Sequence, residues 1–431
     1  MSEFAARRTH LLEAIGDGVA VFPSAPVALR NHDVEHAYRQ DSDLHYLSGF
    51  DEPESLLILS NQHAEHQSVL FVRPKKPERE IWDGPRAGVE GAVADFGVDA
   101  AFPIAELEQR LPDYLGNVER VHYRLASNEA ADAKLFACLN LLRRGGRRGV
   151  TAPEAIIDPS VHLHEMRLRK SAAEVATMRR AAEISTEAHL RAMQAAGPGV
   201  HEYELDAELS HVFRKHGCER PAYDSIVGSG PNATILHYRA GERVMRDGEL
   251  VLIDAGCEHA YYASDITRTF PVNGKFSAAQ RAIYEIVLRA QKNAIDDVKP
   301  GATLEEIHAG AVRAITEGLV DIGLLKGELD ALIEEKKYER FYMHRTSHWL
   351  GMDVHDVGRY FIDGAQRPLE EGFVLTIEPG LYIAADAEDV DAGWRGIGVR
   401  IEDDVVVTAG RADVLSASVP KEIADVEAAC A

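Results

Sequence analysis

Two aspartates within one short segment could do chemistry together. Asp254 directly follows an apolar Val-Leu-Ile run in "VLIDAGCEHAYYASDITRTF", and Asp265 follows it 11 residues later. The pattern predicts two paired strands, Leu250–Gly256 and about Tyr261–Pro271, each carrying one aspartate. A buried carboxylate is costly unless a partner or a cation compensates its charge, and two that face each other repel. We therefore expect a cation between them.

The second half of the chain adds three further candidate ligands. They are His348 in "TSHWLG", Glu378 in "FVLTIEPGLYI" and Glu402 in "GVRIEDDVVV". Each has an ordinary structural explanation alone, but their joint order with the two aspartates favours a shared site. Four carboxylates and one imidazole suit hard or borderline divalent ions such as Mn²⁺. Four carboxylates also suit two ions better than one, because bridging carboxylates hold two ions about 3.5–4 Å apart.

An internal repeat explains how these residues could meet. The segments "PGVHEYEL" (198–205) and "PGATLEEI" (300–307) align a proline, a glycine and a glutamate at an offset of 102 residues. Each follows a predicted long helix, 171–196 or about 277–296, and precedes a histidine and a strand pair with two carboxylates. We expect two duplicated αβ halves, packed about a pseudo-twofold axis, that bring both carboxylate pairs to one cleft.

The chain ahead of this repeat has a different texture. Residues 1–168 alternate strand-like and helix-like segments, which predicts an α/β domain. Ser171 and Glu174 then form a capping-box pattern at the start of a long helix. We therefore place the boundary at about 169, with domains 1–168 and 169–431. In the first domain we predict strands at 18–24, 55–60, 68–74 and 120–126, a helix over 129–145, and an earlier helix interrupted at Pro112.

Composition limits the function classes. The 431 residues carry 47 basic and 70 acidic side chains, and the net charge of −23 argues against nucleic-acid binding and against an anionic membrane surface. The four cysteines form no CxxC pair, and no signal peptide or membrane-spanning run is visible. The sequence therefore predicts a cytoplasmic protein.

Four motifs carry a family resemblance. "DAGCEHAYYASDITRTF", "HWLGMDVHDVG", "TIEPGLYI" and "GIGVRIEDDVVV" resemble the metal-site motifs of the creatinase/aminopeptidase, or pita-bread, fold. Within that fold the chain resembles the aminopeptidase P family, from "RNHDVEHAYRQDSDLHYLSGFDEPES" onward. The N-terminal block matters because methionine aminopeptidases share the catalytic fold but lack this domain. The resemblance implies an α/β N-terminal domain and an α+β catalytic domain built from two pseudo-symmetric halves.

The resemblance also implies a ligand set and an activity. The family's five ligand positions match Asp254, Asp265, His348, Glu378 and Glu402. The implied activity is a two-metal hydrolase that removes the residue before a proline from peptides with proline at the second position. A hydroxide bridging two divalent ions, most simply Mn(II), would attack the scissile carbonyl, and Glu378 would act as general base.

Further positions match the family's substrate site. His355 is expected to help stabilise the oxyanion, and a pocket for the proline ring is expected from His237, His344, Tyr382 and Arg400. Arg345 departs from the pattern, because relatives carry a small residue there. This departure concerns the shape or charge of the substrate end of the site.

Trp82, in "REIWDGPRAG", matches a tryptophan that can reach a neighbouring subunit's active site in relatives. The match implies a homodimer or homotetramer in which the first domain serves assembly and access to the site. Local packing is the alternative role for Trp82.

Two other functions compete with this one. A prolidase acting only on Xaa-Pro dipeptides would share all five ligands and would need a group for the free carboxylate, which Arg400 or Arg345 could supply. The extent of the N-terminal match favours the aminopeptidase. A metal-free peptide-binding member, or a metal-free amidinohydrolase of the creatinase kind, is disfavoured because no ligand is lost.

Overall fold

The computed structural model describes residues 2–239 and 241–431. The chain divides into two compact units between Met166 and Arg167, two residues before the predicted boundary. Within the described ranges, no helix combines the length and the apolar composition that crossing a lipid bilayer requires.

The first unit contains helices and strands in alternation. The helices are α1 Glu3–Ile15, α2 Ser42–Ser48, α3 Pro77–Asp83, α4 Gly88–Phe96, α5 Leu107–Leu115, α6 Glu129–Arg144 and α7 Ser160–Leu168, which contains the division between the units. The strands are β1 Val19–Pro23, β2 Leu29–Asn31, β3 Val34–Glu35, β4 Leu56–Ser60, β5 Ser68–Val72, β6 Ala100–Pro103, β7 Arg120–His122 and β8 Ala155–Ile157. Six of them form a mixed sheet in the order β6-β5-β4-β1-β7-β8.

The four strands predicted in this unit are present as β1, β4, β5 and β7. Strands β6 and β8 were not predicted, because they are short, lie at the sheet edges and are only partly buried. The predicted interruption at Pro112 is wrong, since α5 runs through it. Leu111 and Leu115 on either side of the proline pack into the core, and this packing offsets the lost backbone hydrogen bond.

The second unit contains two long helix pairs and several short sheets. Its helices are α8 Ala172–Ala195, α9 Glu202–Lys215, α10 Ala278–Asp296, α11 Leu304–Asp321, α12 Leu329–Glu334 and α13 Ile423–Ala429. Its strands are β9 Ile226–Ser229, β10 Leu250–Asp254, β11 Glu258–His259, β12 Tyr262–Ala263, β13 Thr267–Pro271, β14 Phe361–Ile362, β15 Ala365–Gln366, β16 Val374–Ile377, β17 Gly380–Ile383, β18 Ile397–Arg400, β19 Asp403–Val406 and β20 Asp413–Val414.

The second unit repeats one arrangement. Helices α8 and α9 pack against each other beside the sheet β13-β10-β9. Helices α10 and α11 pack against each other beside the sheets β16-β19-β20 and β17-β18. The repeated glutamates have the same role, because Glu204 and Glu306 each accept the backbone N–H of the residue before α9 or α11. The sequence repeat therefore marks equivalent helix starts in two halves.

The sequence predicted one continuous strand for the segment that carries Asp265, and this prediction is wrong. Strands β11 and β12 form a small hairpin whose turn residues, Ala260 and Tyr261, have positive φ values of 48° and 70°. Strand β13 begins only at Thr267. The backbone N–H of Asp265 points to the buried carboxylate of Asp404, 3.2 Å away, instead of to a neighbouring strand.

The two halves are joined along β13 and β18. The backbone N–H of Glu402 donates to the carbonyl of Thr267 at 3.1 Å, and the Thr267 hydroxyl donates to Oε2 of Glu402 at 2.6 Å. The Thr269 hydroxyl donates to the carbonyl of Arg400 at 3.1 Å. This seam holds carboxylates from the two halves next to each other.

Candidate active site

All four predicted carboxylate ligands lie where a strand ends or is interrupted. Asp254 is the last residue of β10, and Asp265 precedes β13. Glu378 directly follows β16, and Glu402 lies between β18 and β19. A side chain at such a break is not committed to one face of a sheet, and all four line a single cavity of about 990 Å³.

His348 lies among these carboxylates. Its Nε2 is 3.3 Å from Oδ2 of Asp265 and 3.5 Å from Oε1 of Glu378. Asp265, His348 and Glu402 offer ligand atoms that all lie within 4.8 Å of one another. The other ring nitrogen of His348 donates to the carbonyl of Trp349 at 3.0 Å. A backbone partner of this kind is typical of metal-ligating histidines, because it turns the free nitrogen towards the ion.

Tyr223 joins the two aspartates and was not predicted. Its hydroxyl lies 2.5 Å from Oδ1 of Asp254 and 2.5 Å from Oδ1 of Asp265. Burial, together with the two carboxylates, raises the pKa of Tyr223 well above its ordinary value, so the hydroxyl remains a donor. No local motif marks this tyrosine. The position of Tyr223 depends on a contact between distant segments: the backbone N–H of the preceding residue, Ala222, donates to the carbonyl of Gly256, just after β10.

The carboxylate cluster carries more negative charge than its neighbours balance. Burial raises the pKa of Asp254, raises that of Glu402 well above its ordinary value, and raises that of Glu378 to about 7. Asp265 differs: burial would raise its pKa, but the hydrogen bond and charge of His348, the Tyr223 hydroxyl and the charge of Arg400 together outweigh burial and lower it. An oxygen-rich, buried donor set with uncompensated charge fits a divalent cation.

Arg400 is a fixed part of the cavity wall. It is 4% exposed, and its Nη2 donates to Oδ2 of Asp254 at 2.5 Å. Its Nε donates to the Thr267 hydroxyl at 3.1 Å, and its Nη1 donates to the Tyr382 hydroxyl at 3.0 Å. The guanidinium group therefore orients a predicted ligand and a predicted substrate residue at the same time.

His344 continues this hydrogen-bond chain. Burial, with the charge of Arg400, lowers the pKa of His344 to about 3, so the ring is neutral. Nε2 of His344 therefore accepts a hydrogen bond from the Tyr382 hydroxyl at 2.9 Å. The Nδ1–H of His344 donates to the carbonyl of Arg345 at 2.8 Å. The same Nδ1 lies 3.7 Å from Oε2 of Glu378.

The remaining predicted residues divide into two groups. His237 and His355 line the cavity, and the His355 ring lies edge-on to His348 with 4.4 Å between the ring centroids. Tyr382 is 3% exposed and lies behind His344 and Arg400, so it is not a lining residue. Trp82 does not line the cavity either, and is 82% exposed on α3.

Comparisons with known proteins identify the family. Residues 176–409 match "Metallopeptidase family M24", and residues 4–123 match "Aminopeptidase P, N-terminal domain". An Xaa-Pro aminopeptidase of Escherichia coli (strain K12) is 48% identical over 428 residues, which cover 99% of this chain and 97% of the relative. The chain belongs to metallopeptidase family M24. Membership in a metallopeptidase family implies that the protein uses divalent metal ions.

Solved structures confirm the predicted fold of this M24 member. An aminopeptidase of Pseudomonas aeruginosa matches with a TM-score of 0.98 and 51% identity, covering 99% of this chain and 97% of that one. A zinc-substituted aminopeptidase P of Escherichia coli, in complex with product, matches with a TM-score of 0.97 and 47% identity, covering 100% and 98%. The α/β N-terminal domain and the pita-bread catalytic domain are therefore both established.

A buried ion group supports the loop of this M24 site that carries His355, and it was not predicted. Asp356 accepts a hydrogen bond from Nζ of Lys170 at 2.9 Å and one from Nη2 of Arg167 at 2.7 Å. The backbone N–H of Asp356 donates at 2.9 Å to the Trp349 carbonyl, which also accepts from His348. The ion group therefore stabilises the segment that contains His348 and His355.

A second buried ion group lies behind Glu402. Nη1 of Arg268 donates to the Glu402 carbonyl at 2.6 Å, and its Nη2 donates to Oδ1 of Asp403 at 2.7 Å. Lys421 and Gln291 both donate to the other oxygen of Asp403. Burial would raise the pKa of Asp403, but Arg268 and Lys421 outweigh it and hold the pKa far below its ordinary value. The group fixes the backbone at Glu402.

Proposed function

We propose that the chain is an Xaa-Pro aminopeptidase, which hydrolyses the bond between an N-terminal residue and a following proline. The observation that carries the proposal is the convergence of all five predicted ligand residues on one cavity. The chain also matches the family models of both the catalytic domain and the N-terminal domain. The Escherichia coli relative with that activity in its name aligns over nearly its whole length.

Two divalent ions, with Mn²⁺ as the natural occupant, are proposed at this site. Asp254, Asp265, His348, Glu378 and Glu402 would hold them, and the donor set of four carboxylates and one imidazole supports this assignment. When bound, such ions polarise a scissile carbonyl and make a water more acidic.

Glu378 is the proposed general base. Burial raises its pKa to about 7, so it can take up and release a proton near neutral pH. Its Oε1 lies 3.4 Å from the Thr376 hydroxyl, which limits rotation of the carboxylate. A peptide nitrogen of proline has no hydrogen of its own, so it must gain a proton to leave. Glu378 would take this proton from the attacking water and deliver it.

The histidines have distinct proposed roles. His355 and His237 face the cavity and would donate hydrogen bonds to substrate carbonyl oxygens, which stabilises developing negative charge. His344 is neutral, and both of its nitrogens are already engaged, so its ring would form a wall of the proline pocket. Tyr382 and Arg400 would then act by orienting His344 and Asp254.

A homo-oligomer, either a dimer or a tetramer, is proposed from the first unit. Trp82 and Ile81 are 82% and 81% exposed, and α3 contains no buried residue. Two adjacent large apolar side chains on a surface helix are better accommodated against another chain than in water. Light scattering of the wild type and of Trp82→Ala would measure the oligomer, which the proposal expects the substitution to weaken.

A cytoplasmic location is proposed as well. Cys138, Cys218, Cys257 and Cys430 are all free thiols, which suits a reducing compartment. Fractionation of cells that express the full chain would test this.

A matched substrate pair tests the activity. The Mn²⁺-loaded chain would be incubated with Ala-Pro-Ala and with Ala-Ala-Ala, and the released alanine would be measured by mass spectrometry. We expect rapid cleavage of the proline peptide and slow or no cleavage of the other. Equal rates would reject proline specificity, and cleavage of Ala-Pro but not of Ala-Pro-Ala would favour a prolidase.

A further inference from the structure

Three arginines line the described cavity, and they differ in what they can bind. The buried Arg400 donates from all three of its nitrogens to protein groups. Arg345 and Arg239 are instead exposed, and each forms an ion pair with an exposed carboxylate, Glu305 and Asp224 respectively. Exposed ion pairs contribute little stability, so a substrate carboxylate can displace the protein partner at little cost.

Arg345 combines a hydrogen-bonded backbone with an exposed side chain. Its carbonyl accepts the Nδ1–H of His344 at 2.8 Å. The carbonyl of the next residue, Thr346, accepts the backbone N–H of Glu378 at 2.8 Å. The Arg345 side chain itself is 58% exposed. This exposed cation and the proposed general base line the same cavity.

A bound peptide would run from the carboxylate cluster to this cation. In the proposed function, on which this inference rests, the scissile bond lies at Glu378 and the proline ring lies against His344. Nδ1 of His344 is 3.7 Å from Oε2 of Glu378. Arg345 is the next residue, and consecutive Cα atoms are about 3.8 Å apart. In that arrangement the residue after the proline would lie near Arg345.

We propose that Arg345 binds the free C-terminal carboxylate of a short substrate, an Xaa-Pro-Xaa tripeptide, in exchange for Glu305. A guanidinium group can hold a carboxylate through two parallel hydrogen bonds, which fixes the end of the peptide as well as its charge. Arg345 is thus a specificity residue that favours short peptides with a free C-terminus over longer or capped ones.

Kinetics with a capped and an uncapped peptide test the proposal. The Mn²⁺-loaded full chain and its Arg345→Ala variant would be assayed on Ala-Pro-Ala and on Ala-Pro-Ala-amide. Because one exposed charge pair is lost, we expect KM for the free acid to rise about 3- to 5-fold. KM for the amide should change less than about twofold, since the amide carries no charge for Arg345 to bind.

Three further variants sharpen the result. Arg345→Lys should recover part of the preference for the free acid, and Glu305→Gln should lower KM for the free acid by removing the competing carboxylate. Arg313→Ala is the matched control, because Arg313 is an exposed arginine on α11 that is paired with Asp330 and does not line the cavity. It should leave both substrates unaffected.

Two results would overturn the proposal while leaving the aminopeptidase activity intact. One is equal KM changes for the two peptides in Arg345→Ala, or no change for either. The other is a selective loss in Arg239→Ala that Arg345→Ala does not share. Failure of the wild type to cleave either peptide would instead reject the proposed function, and this inference with it.

Discussion

Replacing Asp356 by asparagine would remove the negative charge from a buried group that contains two cations. The side chains of Asp356 and Lys170 are each 1% exposed, and that of Arg167 is 3% exposed. Removing one partner of a buried ion pair costs about 3–5 kcal/mol, because the other charge stays buried. Arg167 still contacts Asp353 at 2.7 Å, so we expect the lower end, about 3 kcal/mol, in the free energy of unfolding at pH 7.

The size of this loss should depend on pH. Burial alone would raise the pKa of Asp356, but Lys170 and Arg167 outweigh burial and hold the pKa below its ordinary value. A carboxyl with a depressed folded-state pKa stabilises the fold above its unfolded-state pKa of about 3.9 and stops doing so as the pH falls through the folded-state pKa. The difference between wild type and Asp356→Asn should therefore be constant near neutral pH and shrink below about pH 4.

Urea unfolding followed by tryptophan fluorescence would measure this loss of stability in the second structural unit, which contains Asp356. Trp349 and Trp394 both lie in the second unit, and a Trp82→Phe background removes the only other tryptophan. Asp353→Asn is the matched control, because Asp353 is 36% exposed and Arg167 retains its ion pair with Asp356. The free energy of unfolding should therefore fall by less than about 1 kcal/mol. An Asp356→Asn variant as stable as wild type at pH 7, or equally destabilised at pH 3.5, would refute the reasoning.

Three other substitutions and conditions give direct expectations. Glu378→Gln should lower kcat on Ala-Pro-Ala by about 10²–10⁴ with a small change in KM, and a normal kcat would exclude it as the base. Burial would lower the pKa of His348, but the hydrogen bond with Asp265 and the negative charges of Glu378 and Asp265 together raise it to about 9. Since an imidazolium cannot ligate a metal, Mn²⁺ affinity measured by calorimetry should increase with pH up to about 9, and a flat profile would contradict this. Arg268→Met should lower the urea midpoint and Mn²⁺ affinity together, because Asp403 loses its buried partner; unchanged affinity would separate this group from the site.

Local signals account for what the sequence predicted well. Asp254 and Glu378 each follow an apolar or β-branched run, so their position at the end of a buried strand was visible in the sequence alone. The repeated glutamates, Glu204 and Glu306, mark helix starts, which is a property of a few neighbouring residues. The family and the two-domain fold, inferred from motifs of this kind, are confirmed by the comparisons.

The features that were missed depend on distant partners. Asp356 meets Lys170 across 186 residues, and the Tyr223 hydroxyl meets Asp265 across 42. No pattern of neighbouring residues encodes such a contact. The break in the strand at Asp265 has the same origin, because a carboxylate from the other half replaces the strand partner there. Tertiary contacts of this kind override the local preference for an extended strand.

Titrating metal back into the stripped protein tests the central claim most directly. Chelator-treated wild type would receive Mn²⁺ in steps, with bound metal and Ala-Pro-Ala cleavage measured at each step, beside the Glu402→Gln variant. The account predicts two ions bound per chain, activity that appears only as they bind, and loss of at least one ion in the variant. Full cleavage by the metal-free chain, or unchanged binding in Glu402→Gln, would contradict it.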